Sequence, residues 1–132
     1  MATPVISGDG IFSHVFIGAS NVEKSAAFYD AVLGTLGIKN LGPFGNGWVL
    51  YGREKPAFII ARPGNGEVPS GNGVTIGFAA ASQEEVDAFH AAGLAHGGTD
   101  EGLPGPRGHL PGAYAAYLRD PAGNKITAYT FI

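Results

Sequence analysis

There is no cysteine in this chain of 132 residues. Disulfides, thiolate catalysis and every Cys-ligated zinc or iron–sulfur site are thereby excluded. Charge is also scarce: Asp, Glu, Lys and Arg make up 14% of the residues, against a usual value of about 25%. Eight basic and eleven acidic side chains leave a formal charge of −3. That balance gives no electrostatic footprint for nucleic acid and no polybasic patch for anionic lipid. No apolar run approaches the ~18 residues that cross a bilayer, so no membrane partner is expected. No basic residue precedes Lys24, so there is no charged n-region of a secretory signal, and a cytoplasmic location is expected. The chain also lacks G-x-G-x-x-G between strand and helix, G-x-x-x-x-G-K-[ST], H-E-x-x-H and G-x-S-x-G. Their absence removes the usual phosphate loops, the helical zinc-protease motif and the hydrolase nucleophile elbow.

What is abundant is glycine, 22 residues of 132, more than twice the usual ~7%. It follows no triplet period, which excludes collagen, and a 45% hydrophobic content argues against disorder. The length suits one compact domain.

The first strand is predicted from Ser13 to Ala19, with Val15, Ile17 and Ala19 on an apolar face and His14, Phe16 and Gly18 on the other. Ser20 and Glu23 form a capping-box pattern. Val22, Ala26, Tyr29, Val32, Leu33 and Leu36 then recur at helical spacing, and Gly37 is placed to end the helix. Short strands are predicted at Trp48–Tyr51 and Ala57–Ala61, with a weaker candidate at Lys39–Phe44 and a loop over Arg62–Gly73. The order then recurs. A strand at Val74–Ala81 carries Ile76, Phe78 and Ala80 on its apolar face. A second capping pattern, Ser82 with Glu85, opens a helix through Val86, Phe89 and Leu94 that stops at Gly97-Gly98. Strands at Tyr114–Leu118 and Lys125–Phe131 flank a turn at Asp120-Pro121-Ala122-Gly123-Asn124.

An offset of 61 residues lays His14 over Thr75, Glu23 over Glu84, Phe28 over Phe89 and Gly37 over Gly98. The repeated order of elements points to an internal duplication. Each half reads strand–helix–strand–strand–strand, which implies an α+β fold of two tandem βαβββ modules, one at about 11–64 and one at about 72–132.

These residues resemble the vicinal oxygen chelate superfamily, the group of glyoxalase I, bleomycin-resistance proteins and extradiol dioxygenases. The resemblance is carried by the strand with His14-Val15, by the capped helix through Phe28-Tyr29-Asp30 and Val32-Leu33, and by Tyr117-Leu118-Arg119-Asp120-Pro121-Ala122-Gly123-Asn124. It runs from about Ser13 to Phe131. It implies paired βαβββ modules whose sheets curl around a cleft. In metal-using members the first strand of each module supplies a His or similar ligand, and the last strand a Glu or similar. Matched position by position, His14 stands where the first ligand would be, Thr75 where a second His is often found and Thr127 where a Glu is usual. Ala57-Phe58-Ile59-Ile60 has no ligand-type side chain. Threonine hydroxyls are poor replacements for imidazole or carboxylate. The expectation is therefore that the usual metal site is lost, that no cofactor is needed, and that a small organic molecule binds in the cleft. Two alternatives stand beside it: a divalent-metal-dependent glyoxalase-like lyase or isomerase using His14, and a dimeric interaction or regulatory domain without catalysis.

His14 is the one candidate catalytic residue, and also the candidate metal ligand if a metal is bound; as a pocket donor, acceptor or general base it could act without metal. Strand parity places Thr75, Thr127 and Tyr129 on one side, where their hydroxyls could orient a ligand, although strands favour Thr and Tyr in any case. Arg107 and His109 precede Tyr114-Ala115-Ala116-Tyr117, a segment similar to one in a glyoxalase-like subgroup. Arg107 could clamp an anion, with His109 assisting and Tyr114 nearby, unless the segment is only a polar loop. His90 and His96 are read as structural. Phe44, Trp48 and Tyr51 form an aromatic group that could wall a ligand, pack a core or meet a second copy. Family members commonly pair modules across chains or dimerise side to side, so a homodimer is expected.

Overall fold

The structure is a computed structural model that describes residues 10–45, 47–66, 69 and 73–131. Two modules follow one another with the same element order. The first comprises β1 (Val15–Gly18), α1 (Val22–Gly34), β2 (Lys39–Phe44), β3 (Trp48–Gly52) and β4 (Phe58–Ala61). The second comprises β5 (Thr75–Ala79), α2 (Gln83–Ala95), β6 (Thr99–Pro106), β7 (Ala113–Arg119) and β8 (Lys125–Phe131). The sheets are ordered β1-β4-β3-β2 and β5-β8-β7-β6. In each sheet the first strand runs parallel to the last, and the other neighbours are antiparallel. This is the expected α+β architecture. The 61-residue offset carries Val22–Gly34 onto Gln83–Ala95, helix on helix.

β6 is the strand for which the sequence offered no pattern. Its Thr-Asp-Glu-Gly-Leu-Pro-Gly-Pro lacks alternation, and it pairs with β7 only through register shifts at Asp100/Gly102 and Gly102/Gly105. In the Arg62–Gly73 loop, Arg62–Gly66, Pro69 and Gly73 lie in no helix or strand. The remaining loop residues and the outer bounds 72 and 132 of module two lie outside the described residues.

The first helix starts one residue later than its pattern predicts. Asn21, not Ser20, is the N-cap, and its Oδ1 accepts from Lys24 N at 3.0 Å. An Asn is at least as good a cap as a Ser, and here its backbone is the extended one. The second capping box forms: Ser82 Oγ accepts from Glu85 N, and Glu85 Oε1 accepts in return from Ala81 N. Gly37 and Gly97, at φ +75° and +96°, turn the chain away from the helix ends as only glycine does without strain.

Each sheet has a helix-packed face and an open face. Val15, Ile17, Val49, Tyr51, Phe58 and Ile60 of module one and Ile76, Phe78, Ala116, Leu118, Ile126 and Ala128 of module two join one core with the buried sides of α1 and α2. The two helices pack on each other, and the Phe58 and Phe78 rings meet edge-on at 5.2 Å, continuing the core between modules. Contact is close at Gly98, where an added Cβ would lie 2.9 Å from the Arg119 carbonyl oxygen and would strike Phe28. No helix among the described residues is long and apolar enough to cross a membrane.

Candidate functional site

Strand alternation decides which side chains can share a site. In module one the residues opposite the core-facing set are Phe16, Trp48 and Phe44, with Leu50 and Ile59 between them in register. Trp48 sits edge-on to Phe16 at 5.2 Å and 6.0 Å from Phe44. These rings are 41%, 38% and 60% exposed for Phe16, Trp48 and Phe44, an unusual display of large apolar side chains. Tyr51 is not part of this group. Its parity turns it toward α1, where it is buried and donates to Asp30 Oδ1 at 2.9 Å. Burial, and then the Asp30 carboxylate, raise the Tyr51 pKa beyond its ordinary value.

In module two the open face carries Thr75 and Gly77 from β5, Lys125, Thr127 and Tyr129 from β8, and Ala115, Tyr117 and Arg119 from β7. Arg107 reaches over this face: its Cζ lies 5.1 Å from the Tyr117 ring centroid, and Lys125 Nζ lies 5.3 Å from the same centroid. Arg107 Nη2 donates to the carbonyls of Leu103 and Ala115 at 2.8 and 2.7 Å. The guanidinium is thus fixed by backbone. Desolvation first, then the neighbouring Tyr117, raise the pKa of the Tyr129 hydroxyl, with Arg107 pulling in the opposite direction.

Thr75, Thr127, Tyr129 and Arg107 therefore share a face. Two of the candidate residues do not act as expected from sequence. Tyr114 faces the other way: it sits opposite Thr130 on the helix side of β7 and donates to Asp87 Oδ1 of α2 at 2.7 Å. Parity explains this, since Tyr114 differs by an odd number of positions from Tyr117. Thr127 is on the open face, yet it is buried and its hydroxyl donates to the Ala116 carbonyl at 2.7 Å. A hydroxyl committed to backbone has its one proton spent. His109 is exposed in the turn after Arg107. Tyr117, Lys125 and Arg119 were not singled out from the sequence as site residues. The same alternation that places Thr127 and Tyr129 together places Lys125 with them.

His14 lies just before β1 and is exposed, with Nδ1 2.9 Å from Ser13 Oγ. It lines a cavity of about 410 Å³ that opens between the starts of β1 and β5, with Arg53, Tyr51, Phe58, Ile76 and Phe78. Arg53 Nη2 donates to the Leu36 carbonyl, while Arg53 Nε is buried without a partner. A second cavity, of about 610 Å³, runs from Ser20 and Asn21 past Trp48 to Ala61 and Arg62. His14 and Trp48 thus belong to different cavities. His90 is buried, with Nε2 2.7 Å from Asp100 Oδ1, and the His96 ring meets the Ala92 carbonyl, so both have structural partners.

The donor set does not suit the divalent cation that the resemblance implies. The matched positions hold His14, an apolar β4, Thr75 and a Thr127 committed to backbone. No group of three or more His, Asp or Glu side chains converges among the described residues. A catalytic divalent site needs three protein ligands of that kind.

The sequence profile of the Glyoxalase/Bleomycin resistance protein/Dioxygenase superfamily matches residues 11–127. Among solved structures, a glyoxalase/bleomycin resistance protein from Albidiferax ferrireducens T118 is 50% identical, covers 93% of this chain and 100% of its own, and superposes with a TM-score of 0.82. A glyoxalase/bleomycin resistance protein/dioxygenase family enzyme from Burkholderia phytofirmans PsJN is 19% identical, with TM-score 0.72 and coverage of 91% and 98%. A lactoylglutathione lyase from Agrobacterium tumefaciens is 20% identical, with TM-score 0.65 and coverage of 94% and 95%. The latter two share the fold alone. No curated protein matches the chain.

Proposed function

The chain belongs to the Glyoxalase/Bleomycin resistance protein/Dioxygenase superfamily, and within it we propose that this protein binds a small organic molecule on its open sheet faces without a resident divalent metal. One observation carries the reading: the strand positions matched to metal ligands hold at most one strong donor, His14, while the open face of module two is furnished with the Tyr117 and Tyr129 rings and with cations instead. Aromatic walls with a few placed polar groups are the usual furniture of a small-molecule site. The protein acts as a homodimer in this reading, because the exposed Phe16, Phe44 and Trp48 rings and the sheet edges at β2 and β6 are costly to leave bare.

Calorimetric titration with Ni²⁺, Zn²⁺, Mn²⁺ and Fe²⁺ tests the absence of a metal site. The expected outcome is no stoichiometric binding. Stoichiometric binding that disappears in His14→Ala overturns the proposal.

A second reading has an observation of its own, the exposed His14 ring on the wall of a cavity. A histidine so placed can shuttle a proton without metal. An assay with the hemithioacetal of methylglyoxal and glutathione separates the two. No turnover is expected. Turnover lost in His14→Gln favours proton transfer, and turnover lost on chelation favours a metal enzyme.

A further inference from the structure

We propose that the cavity between the two modules is a binding site in its own right, for a small monocarboxylate with an apolar body, and that the Arg53 guanidinium receives the carboxylate. This goes beyond the small-molecule reading above, which concerns the open sheet faces.

The cavity, of about 410 Å³, has the size of a small-molecule site. Its apolar walls come from both modules, with Ile38 and Phe58 from the first and Ile76 and Phe78 from the second. Phe58 and Phe78 are core residues, and Ile38 and Ile76 pack against that core. The cavity is therefore space left in the seam between modules, on the side of the sheets away from Trp48 and Tyr129. Among the described residues no Asp or Glu lines it, and Arg53 is the one lining side chain with a permanent charge.

Arg53 is firmly placed. It follows β3 in a tight turn that Ala57 N closes by donating to the Tyr51 carbonyl at 2.8 Å, and a Cβ added at Gly52 would strike the Lys55 carbonyl. The guanidinium is pinned through Nη2, which donates to the Leu36 carbonyl at 2.9 Å. The other two nitrogens have no protein partner: Nε is buried, and Nη1 is not. No carboxylate among the described residues lies within ion-pair distance of it. A half-buried cation without a counter-charge is costly, and a guanidinium already anchored loses little freedom when it takes an anion through a remaining donor. Both points favour a carboxylate over a neutral group. A second negative charge would meet only apolar wall, which excludes dicarboxylates.

The test titrates the intact chain with 3-phenylpropionate and with its uncharged counterpart 3-phenylpropanol, followed by calorimetry and by NMR of the Ile38 and Ile76 methyl groups. The acid is expected to bind and to shift both methyl signals, and the alcohol to bind about tenfold more weakly, the worth of one charge-assisted contact. Arg53→Gln should abolish that preference, and Arg53→Lys, which keeps the charge, should retain part of it. Ile76→Phe, which narrows the cavity from the other module and leaves Arg53 in place, should weaken the acid about tenfold even if Arg53→Gln does not fold. No binding of the acid, equal affinity for acid and alcohol, or unchanged affinity in Ile76→Phe overturns the inference. Shifts confined to the Tyr117 and Tyr129 rings overturn it as well and leave the small-molecule reading of the open face standing.

Discussion

The Tyr29 hydroxyl donates to Asp120 Oδ2 at 2.6 Å, across 91 residues of sequence, and both side chains are buried. The bond ties α1 of module one to the turn before the last strand of module two. Asp120 does more than receive it: Oδ1 accepts from the backbone N–H of Ala122 and Asn124, and Oδ2 also accepts from Asn124 Nδ2 at 3.0 Å. That same Asn124 amide donates to the Gly18 carbonyl at the end of β1. The Asp-Pro-Ala-Gly-Asn turn is therefore a clamp between modules as well as a local reversal.

Tyr29→Phe removes one donor and leaves a buried carboxylate oxygen with a single partner. The expected loss is about 1–3 kcal/mol of stability, read as a lower urea midpoint with an unchanged slope. Asp120→Ala should cost more, because it strips donors from both modules at once. A midpoint unchanged in Tyr29→Phe counts against the clamp.

Alkaline pH should weaken the fold through the same hydroxyl. Burial first, and then the Asp120 carboxylate, hold the Tyr29 pKa well above its ordinary value of 10.0. Below about pH 10 the group is protonated whether the chain is folded or not, and its contribution is fully present. Above that value the unfolded chain releases the proton and the folded one retains it, so stability falls by roughly 1.4 kcal/mol per pH unit for this group. Denaturation between pH 9 and 11.5 should show wild type losing stability more steeply than Tyr29→Phe. Parallel slopes would falsify the assignment.

Thr127→Val separates a backbone strut from a ligand contact. The hydroxyl is buried and given to the Ala116 carbonyl, so its loss should cost about 0.5–1.5 kcal/mol. Affinity for a small aromatic ligand, followed by calorimetry, should be unchanged. A large fall in affinity with stability intact would mean that the hydroxyl turns to the ligand when one is present.

The aromatic face of module one predicts the state of association. Sedimentation should show a dimer, and Phe16→Asp should shift it toward monomer, since one charge among Phe16, Phe44 and Trp48 opposes their burial. The single Trp, Trp48, provides an independent signal: its emission should move to the red as the dimer dissociates. A monomer at all concentrations in wild type removes the homodimer from the proposal.

The amino-acid sequence alone determined the module order, the two helices, most of the strands and the helix-packed faces of β1 and β5. Those depend on alternation, capping chemistry and glycine positions within a few residues of one another, which a linear reading can follow. It also carried the thinning of the metal donors, because ligand chemistry belongs to residue type. Tertiary structure alone decided that Tyr114 and Tyr51 point to helices, that Thr127 is committed to Ala116, and that Arg107 and Lys125 share the Tyr117 ring. It also decided that β6, with no pattern of its own, becomes a strand by pairing with β7. Each of these is settled by which partner lies across a strand or across the module boundary, and a side chain's partner is fixed by packing between segments that are distant in the chain.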